Sequence, residues 1–246
     1  MSLNSKFRIL VSGGGGYFAS HIKRLAVNHV VYAPTKKEMD VRNLDSVTWA
    51  VESYQPDIFI HAAALTRPMI KHVNNPAESI TCNIIGTSNV VLACMQNNVK
   101  LVYISTDYVY PGTDGNYSET DSLLPFTNYG WSKLGGECAV SLYENSLILR
   151  IGMTNRPFCH PRALVDVKKS LLFDDEAAKI TLSLLNEKGI INVGGKAQSI
   201  YDFVSSHNTA VGKISRSEVN DVEIAVDTSM NTKKMEGILN DKSFQH

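Results

Sequence analysis

The sequence predicts an α/β protein built on a doubly wound parallel sheet, and three observations carry that prediction. Over the first 150 residues, short apolar runs rich in Val, Ile and aromatics alternate with longer helix-like stretches. Most of the runs lack strict polar–apolar alternation, as strands buried on both faces do. The first run ends in a glycine cluster that opens a helix.

The strands are expected, in order, at 7–11 (FRILV), 29–33 (HVVYA), 57–61 (DIFIH), 100–104 (KLVYI) and 146–150 (SLILR). Helices are expected between them near 17–27, 43–55, 76–98 and 129–145. The third has the clearest signals: Pro76 opens it, and Ile80, Ile84, Val90, Val91, Ala93 and Cys94 supply an apolar face. After Arg150 the pattern loosens. RPFCHP at 156–161 carries two prolines, and a helix near 174–186, a short strand at 191–195 and a helix near 199–209 follow. The last 35 or so residues are polar, with no strong core pattern. A boundary near residue 150 is expected, with a dinucleotide-binding domain over 1–150 and a shortened substrate-binding region over 151–246.

Composition narrows the partners. The chain has 246 residues, 43% of them hydrophobic, with 24 basic and 24 acidic side chains. A net charge of zero gives no electrostatic footprint for nucleic acid and no lysine block for a membrane surface. No apolar run approaches the roughly 20 residues that span a bilayer. The N-terminal segment MSLNSKFRILVSGG has too short an apolar part for a signal peptide. Cys82, Cys94, Cys138 and Cys159 form no CxxC pair, and the seven histidines do not cluster. A cytoplasmic protein with buried free thiols and no metal is expected.

The cluster VSGGGGYFAS spans residues 11–20. Glycine lets the backbone turn sharply and approach a pyrophosphate, and a helix N-terminus offers free N–H groups with partial positive charge. The GxGxxG form fails because Phe18 takes the third place, but Gly13-x-x-Gly16-x-x-Ala19 works, and Tyr17 and Phe18 lie in the same turn. Placed after the first strand of a βαβ series, the cluster predicts a Rossmann-type dinucleotide site. At the end of the second strand stand Pro34 and Thr35, then Lys36 and Lys37, with Glu38 and Asp40 nearby. An acid at that tip would bind ribose hydroxyls and a base would bind a 2′-phosphate. The lysines favour NADP(H) over NAD(H), the alternative being that both are simply solvated.

Tyr129 and Lys133 in TNYGWSKLGGE are four apart, so on a helix a phenol and an ammonium share one face. With the segments HAAA at 61–64, MDVRN at 39–43, ISTDYVYPG at 104–112 and NYGWSK at 128–133, the chain resembles the extended short-chain dehydrogenase/reductase family. Within that family it is most similar to the dTDP-4-dehydrorhamnose reductase branch, over residues 7 to about 150.

The resemblance implies an oxidoreductase acting on a nucleotide-linked 4-keto-6-deoxysugar, in deoxysugar biosynthesis for a surface polysaccharide. It implies that Tyr129 protonates a carbonyl oxygen as hydride arrives. Lys133 would bind the nicotinamide ribose and lower the phenol pKa from its usual value of about 10. Thr106 would hydrogen-bond the substrate carbonyl. Asp40, Val41, Ala62, Ala63 and Ala64 would border the cofactor with Gly13, Gly16, Tyr17, Phe18, Thr35 and Lys36. Thr66, Arg67, Asp107 and Tyr108 are candidates for the sugar pocket. Arg156 and Arg162, with Lys168 and Lys169 after them, are either diphosphate ligands or a solvated basic stretch. The turn at Gly194–Gly195 and Tyr201 would lead back toward the substrate. A 4,6-dehydratase would carry Glu after Thr106-Asp107, where Tyr108 stands. The cysteine of a GDP-fucose synthase is missing near Thr106. An NAD-retaining epimerase and a non-catalytic dinucleotide-binding member remain the alternatives. The resemblance also implies a homodimer paired through the helix bearing Tyr129 and the one before it.

Overall fold

The computed structural model describes residues 6–219 and 223–243; the first five residues, part of the N-terminal segment read above, lie outside them. Six parallel strands form one sheet: β1 (Arg8–Ser12), β2 (Val30–Tyr32), β3 (Ile58–His61), β4 (Lys100–Thr106), β5 (Ser146–Ile151) and, far along the chain, Gly189–Val193. Their spatial order is β2–β1–β3–β4–β5 and then Gly189–Val193. The chain runs outward from β1 to β2, crosses back to β3 and continues the other way. The order therefore reverses between β1 and β3, and an open α/β sheet binds ligands in the crevice beyond the strand ends at such a point.

The missing alternation in the strand sequences has a simple cause, because both faces are covered. Ile9, Val11, Ile58, Ile60, Val102, Ile104, Leu147 and Leu149 point to one cluster, which α1 (Tyr17–Leu25) closes with Ala19 and Ile22. Their strand neighbours Leu10, Phe59, Leu101, Tyr103 and Ile148 point to the other, closed by Val47, Ala50 and Val51 of α2 (Leu44–Tyr54) and by Val90, Val91 and Cys94. Successive side chains on a strand face opposite ways, so a strand covered on both sides reads as continuously apolar.

Two expectations need correction. The single helix expected over 76–98 is three pieces: Pro76–Ser79, a π-helical turn Ile80–Ile85, and Gly86–Gln96. The wider turn shifts the register, and a composition-based pattern contains no signal for it. The polar C-terminal stretch also supplies buried residues. Thr228, Ser229 and Met230 are buried, as is Met235 on the helix Lys233–Ser243, which packs beside the sheet's last strand.

The chain after residue 150 does two things. It returns to complete the sheet with Gly189–Val193 and to cover its first face with the helix Asp174–Ser183, whose Ala177 and Ala178 join the first core cluster. It also builds a small outlying cluster from Ala163, Leu171, Phe173, Phe203, Val204 and Val211. Three two-stranded ribbons frame that cluster: Met153–Thr154 with Leu172–Phe173, Arg162–Leu164 with Gly212–Ile214, and Lys168–Lys169 with Gln198–Ser199. All four cysteines are free thiols, but against the expectation only Cys94 is buried, with Cys138 and Cys159 exposed. No described helix is long and apolar enough to cross a membrane.

One buried ion pair joins these layers below the strand ends. Arg150, 2% exposed, donates from Nη2 to Glu137 Oε2 at 2.8 Å and from Nε to both carboxylate oxygens at 3.2 Å. Glu137 lies on the helix Asn128–Ser141 and also accepts from the Ser105 hydroxyl of β4. Arg150 Nη1 donates to the Tyr110 hydroxyl at 2.9 Å, and that hydroxyl reaches Asn192 Oδ1 of the last strand at 2.8 Å.

Candidate active site

The glycine turn lies at the point where the strand order reverses. Gly13 has φ +77°, and a Cβ there would sit 3.1 Å from the backbone of Ala63 at the end of β3. A Cβ on Gly14 would fall 2.0 Å from the carbonyl oxygen of Ala33, so no side chain fits. The backbone ends of β1, β2 and β3 thus meet here, and Gly14 N donates to Pro34 O at 3.1 Å. Gly15 faces open space, with nothing within 4 Å of where its Cβ would be. α1 starts directly after Gly16 and has no side-chain cap, whereas Asn43 caps α2 through Ser46 N at 3.2 Å. Uncapped helix N–H groups beside a glycine turn fit an anionic diphosphate. Tyr17 is exposed, and the Phe18 side chain is in the core, which leaves its backbone N–H as the group it could offer.

A buried relay holds the far wall. Ser12 Oγ accepts from the N–H groups of Ala62 and Ala63 at 3.1 and 3.0 Å and bonds His61 Nδ1 at 2.8 Å. His61 Nε2 pairs with Thr87 Oγ1 at 3.0 Å, and Thr87 donates to Asn83 O at 2.7 Å. Since Ser12 gives its hydrogen to Nδ1 and Thr87 gives its own to Asn83, His61 is neutral with the proton on Nε2. Burial, helped by Lys133, pulls its pKa down to about 3. Asn83, on the π-helical turn, accepts from Leu65 N at 2.7 Å and donates to Leu65 O at 2.9 Å and Ser132 Oγ at 2.8 Å. The π turn thereby ties the loop after β3 to the helix that carries Tyr129. Sequence reasoning missed this relay, although its histidine lies in the HAAA segment already singled out.

At the second strand's end, Glu38 folds back and accepts from both N and Oγ1 of Thr35, at 2.7 and 2.9 Å. Asp40 is held by Arg42, its pKa lowered by that hydrogen bond, with Lys36 contributing. Lys36 and Lys37 are exposed, and Val41 is buried against Gly86.

Thr106 ends β4, and Thr127 caps the helix Asn128–Ser141 through Gly130 N at 3.1 Å. A Cβ on Gly130 would meet the Tyr108 carbonyl oxygen at 2.3 Å, so the glycine lets this helix press onto the turn after Thr106. The Tyr129 ring lies edge-on to Tyr108 at 5.7 Å and to His72 at 5.2 Å. His72 is buried, with Nδ1 at 2.7 Å from Ser79 Oγ and Nε2 at 3.4 Å from Thr66 O. Lys133 is 3% exposed, with its ammonium 4.1 Å from the centre of the Tyr103 ring. Burial lowers its pKa to about 7 against the pull of Glu137. The expected lowering of the phenol pKa is not found. Burial pushes Tyr129 up, and hydrogen bonding with Thr106 and the charge of Arg67 offset this only in part. Two polar groups taken out of water together each favour their neutral form.

The remaining candidates divide. Asp107, Tyr108, Thr66 and Arg67 gather around Thr106 and Tyr129. A cavity of about 130 Å³ opens beside them, lined by Met69, Tyr108, Phe126, Leu164, Val167, Lys169, Ile200 and residues 223–225. Arg156 instead pairs with Asp175 and Glu176 at 3.2 and 2.8 Å and stacks on Phe173. Arg162 faces Glu218 at 3.4 Å. Lys168 is exposed, whereas Lys169 is neither solvated nor free for a diphosphate: it is buried and bonded to Asp107 at 2.6 Å.

Residues 7–156 match the family described as RmlD substrate binding domain. A dTDP-4-dehydrorhamnose reductase from Aggregatibacter actinomycetemcomitans is 32% identical over 152 residues, 60% of this chain and 51% of that protein. Methionine adenosyltransferase 2 subunit beta from Pongo abelii is 31% identical over 156 residues, 58% of this chain and 46% of that protein. The chain thus spans about half the length of the curated relatives it matches. The fold superposes on a dTDP-4-dehydrorhamnose reductase from Bacillus anthracis, solved in complex with NADP, with TM-score 0.84 and 23% identity, covering 96% of this chain and 93% of that one.

Lys133 gives the site a pH signature. Its folded pKa is about 7 against an ordinary 10.5. Between these values the unfolded chain holds a proton that the folded chain has released, so stability rises with pH across that window. Subtracting the urea-unfolding free energies of Lys133→Met from those of wild type should leave a difference that climbs from pH 7 toward pH 10. Parallel curves would mean that Lys133 titrates as a solvated amine.

Proposed function

The chain belongs to the RmlD substrate binding domain family, and from that premise we propose that it is an NADPH-dependent oxidoreductase reducing a nucleotide-linked 4-keto-6-deoxysugar. The observation that carries this reading is the gathering of Thr106, Tyr129 and a dry Lys133 at the strand ends, beside an uncapped helix N-terminus at the sheet's reversal point. A bound nicotinamide would supply the hydride. The chain's own residues do the rest. Gly13, Gly16 and the N–H groups at Tyr17 and Phe18 hold the diphosphate, Ala62–Ala64 and Val41 wall the adenine side, and Lys133 holds the ribose. Thr106 bonds the substrate carbonyl oxygen and Tyr129 gives it a proton. Lys133 would hold the cofactor ribose through its ammonium, and the protonated lysine would stabilise the phenolate left on Tyr129.

The domain division follows the same reading: residues 1–150 bind dinucleotide and 151–246, apart from the returning strand and helix, form the sugar side. Arg156 and Arg162 would reach a diphosphate only by leaving their carboxylate partners. We place the reaction in the cytoplasm, in the supply of deoxysugars for a polysaccharide. A second reading, a non-catalytic dinucleotide-binding subunit, draws support from the likeness to a protein named as a subunit of methionine adenosyltransferase. A homodimer is supported by exposed apolar side chains on adjacent segments: Ile80 and Ile85 on the π-helical turn, Leu92 and Met95 on the helix after it, and Trp131 on the helix Asn128–Ser141 with Leu142 just past its end. Sedimentation velocity on the purified chain should show a dimer at micromolar concentration; a monomer would end that part of the proposal.

Loss of NADPH absorbance with dTDP- or GDP-4-keto-6-deoxysugars reads the activity. Tyr129→Phe should lower kcat about 10²- to 10⁴-fold, the usual contribution of a positioned acid, with cofactor affinity unchanged. No turnover across the panel together with tight dinucleotide binding would favour the subunit reading. Cofactor that copurifies and is never consumed would favour an epimerase. Titration of NADPH and NADH should show NADPH bound more tightly, with Lys36→Ala losing about tenfold or more for NADPH alone, the worth of one charge-assisted contact to phosphate. Equal affinity for both cofactors in wild type and variant would overturn the NADP preference.

A further inference from the structure

Lys168 and Lys169 are neighbours on a short strand, so alternation sends one outward and the other inward. The inward one, Lys169, is 7% exposed and meets a carboxylate on the far side of the site. Its Nζ donates to Asp107 Oδ2 at 2.6 Å and lies 4.0 Å from the centre of the Tyr108 ring. Thr228, fully buried, donates its hydroxyl to the same oxygen. The two come from segments that bond each other, Lys168 N to Val226 O at 2.9 Å and Thr228 N to Lys168 O at 3.1 Å. The other carboxylate oxygen, Oδ1, accepts from the Thr106 hydroxyl at 3.1 Å.

We infer that Lys169 and Thr228 are positioning residues: they clamp one oxygen of Asp107 so that its other oxygen fixes the rotamer of the Thr106 hydroxyl. This rests on the reading that Thr106 bonds the substrate carbonyl. Asp107 is 2% exposed, and a carboxylate buried to that degree keeps its charge and its place only while paired. The ammonium has a second effect. It draws charge from Asp107, which weakens the hold on the Thr106 hydrogen and lets that hydrogen turn to a substrate oxygen. Thr106 is thereby oriented without being locked. The clamp comes from the chain beyond residue 150 and acts on a residue of the first 150, so the sugar side of the molecule sets the geometry of the chemical step. Lys169 and Asp107 consequently need not touch the substrate to matter for turnover.

The test reads Thr106 directly. Three-bond couplings from its methyl carbon to backbone nitrogen and carbonyl carbon report χ1, with Thr106→Ser providing the assignment. Wild type should show one rotamer, Lys169→Met an average, and Asp107→Asn with Lys169→Met a return to one rotamer, because the amide keeps the acceptor oxygen and needs no cation. On a 4-keto-sugar substrate, kcat of Lys169→Met should fall tenfold or more with KM within about threefold, and the double variant should regain most of it. Couplings in Lys169→Met identical to wild type would overturn the inference, as would a double variant no better ordered than the single. If wild type turns over no keto sugar, the functional reading fails while the couplings still decide the clamp. If Lys169→Met does not fold, Thr228→Val removes the second contact without removing a charge; averaging at Thr106 is then expected, and an unchanged rotamer would overturn the inference.

Discussion

Arg150 has almost no contact with solvent, and a buried guanidinium persists only where every donor is answered. Here Glu137, Tyr110 and the Glu119 carbonyl answer it. Removing one partner of such a pair generally costs about 3–5 kcal/mol, because the other charge stays buried. The pair fixes more than itself. Glu137 stands one turn beyond Lys133 on the same helical face, and Ser105, which also binds it, precedes Thr106. The helix carrying the phenol and the strand carrying the threonine are therefore bolted at one level, and the last strand joins through Tyr110 and Asn192.

Above that level the ends of β1, β3 and β4 are finished by polar side chains whose hydrogen bonds are internal. Ser12, His61 and Thr87 finish β1 and β3, and Asn83 carries the chain of bonds to Leu65 and Ser132. Asp107, Lys169 and Thr228 do the same beyond β4. Two groups differ. Lys133 rests on an aromatic ring, and no carboxylate of the described residues lies within ion-pair distance of it. The Tyr129 ring stands edge-on to Tyr108 and His72. Burial opposes the charge on both, so the protein holds a phenol and an amine in a state that a bound polar ligand relieves. That is the electrostatic preparation expected where a proton is to move.

Much of this was legible in the residues. Apolar runs without alternation gave away strands covered on both sides, and Ile9 and Leu10 indeed part to opposite clusters. Glycine at 13 signalled a sharp turn, which its φ of +77° makes, but not the close approach of the Ala63 and Ala33 backbones. Tyr129 and Lys133 four apart required one helical face. The π-helical turn was not legible, because its residues have no composition of their own, and with it went Asn83. Nor was the buried half of the Lys168–Lys169 pair, since two adjacent lysines look alike until a strand sends them opposite ways.

By itself, then, the sequence determined what depends on local chemistry and period: strand burial, the glycine turn, the helical pairing of phenol and ammonium, and the order of elements up to residue 150. The tertiary structure alone decided what depends on partners distant in the chain. Asp107 finds Lys169 and Thr228 at separations of 62 and 121 residues. Arg156 and Arg162 pair with carboxylates while staying exposed to water. Burial moves Tyr129 and Lys133 each toward its neutral form. A side chain's charge and direction are set by what is packed against it, and in a doubly wound sheet those neighbours come from opposite ends of the chain.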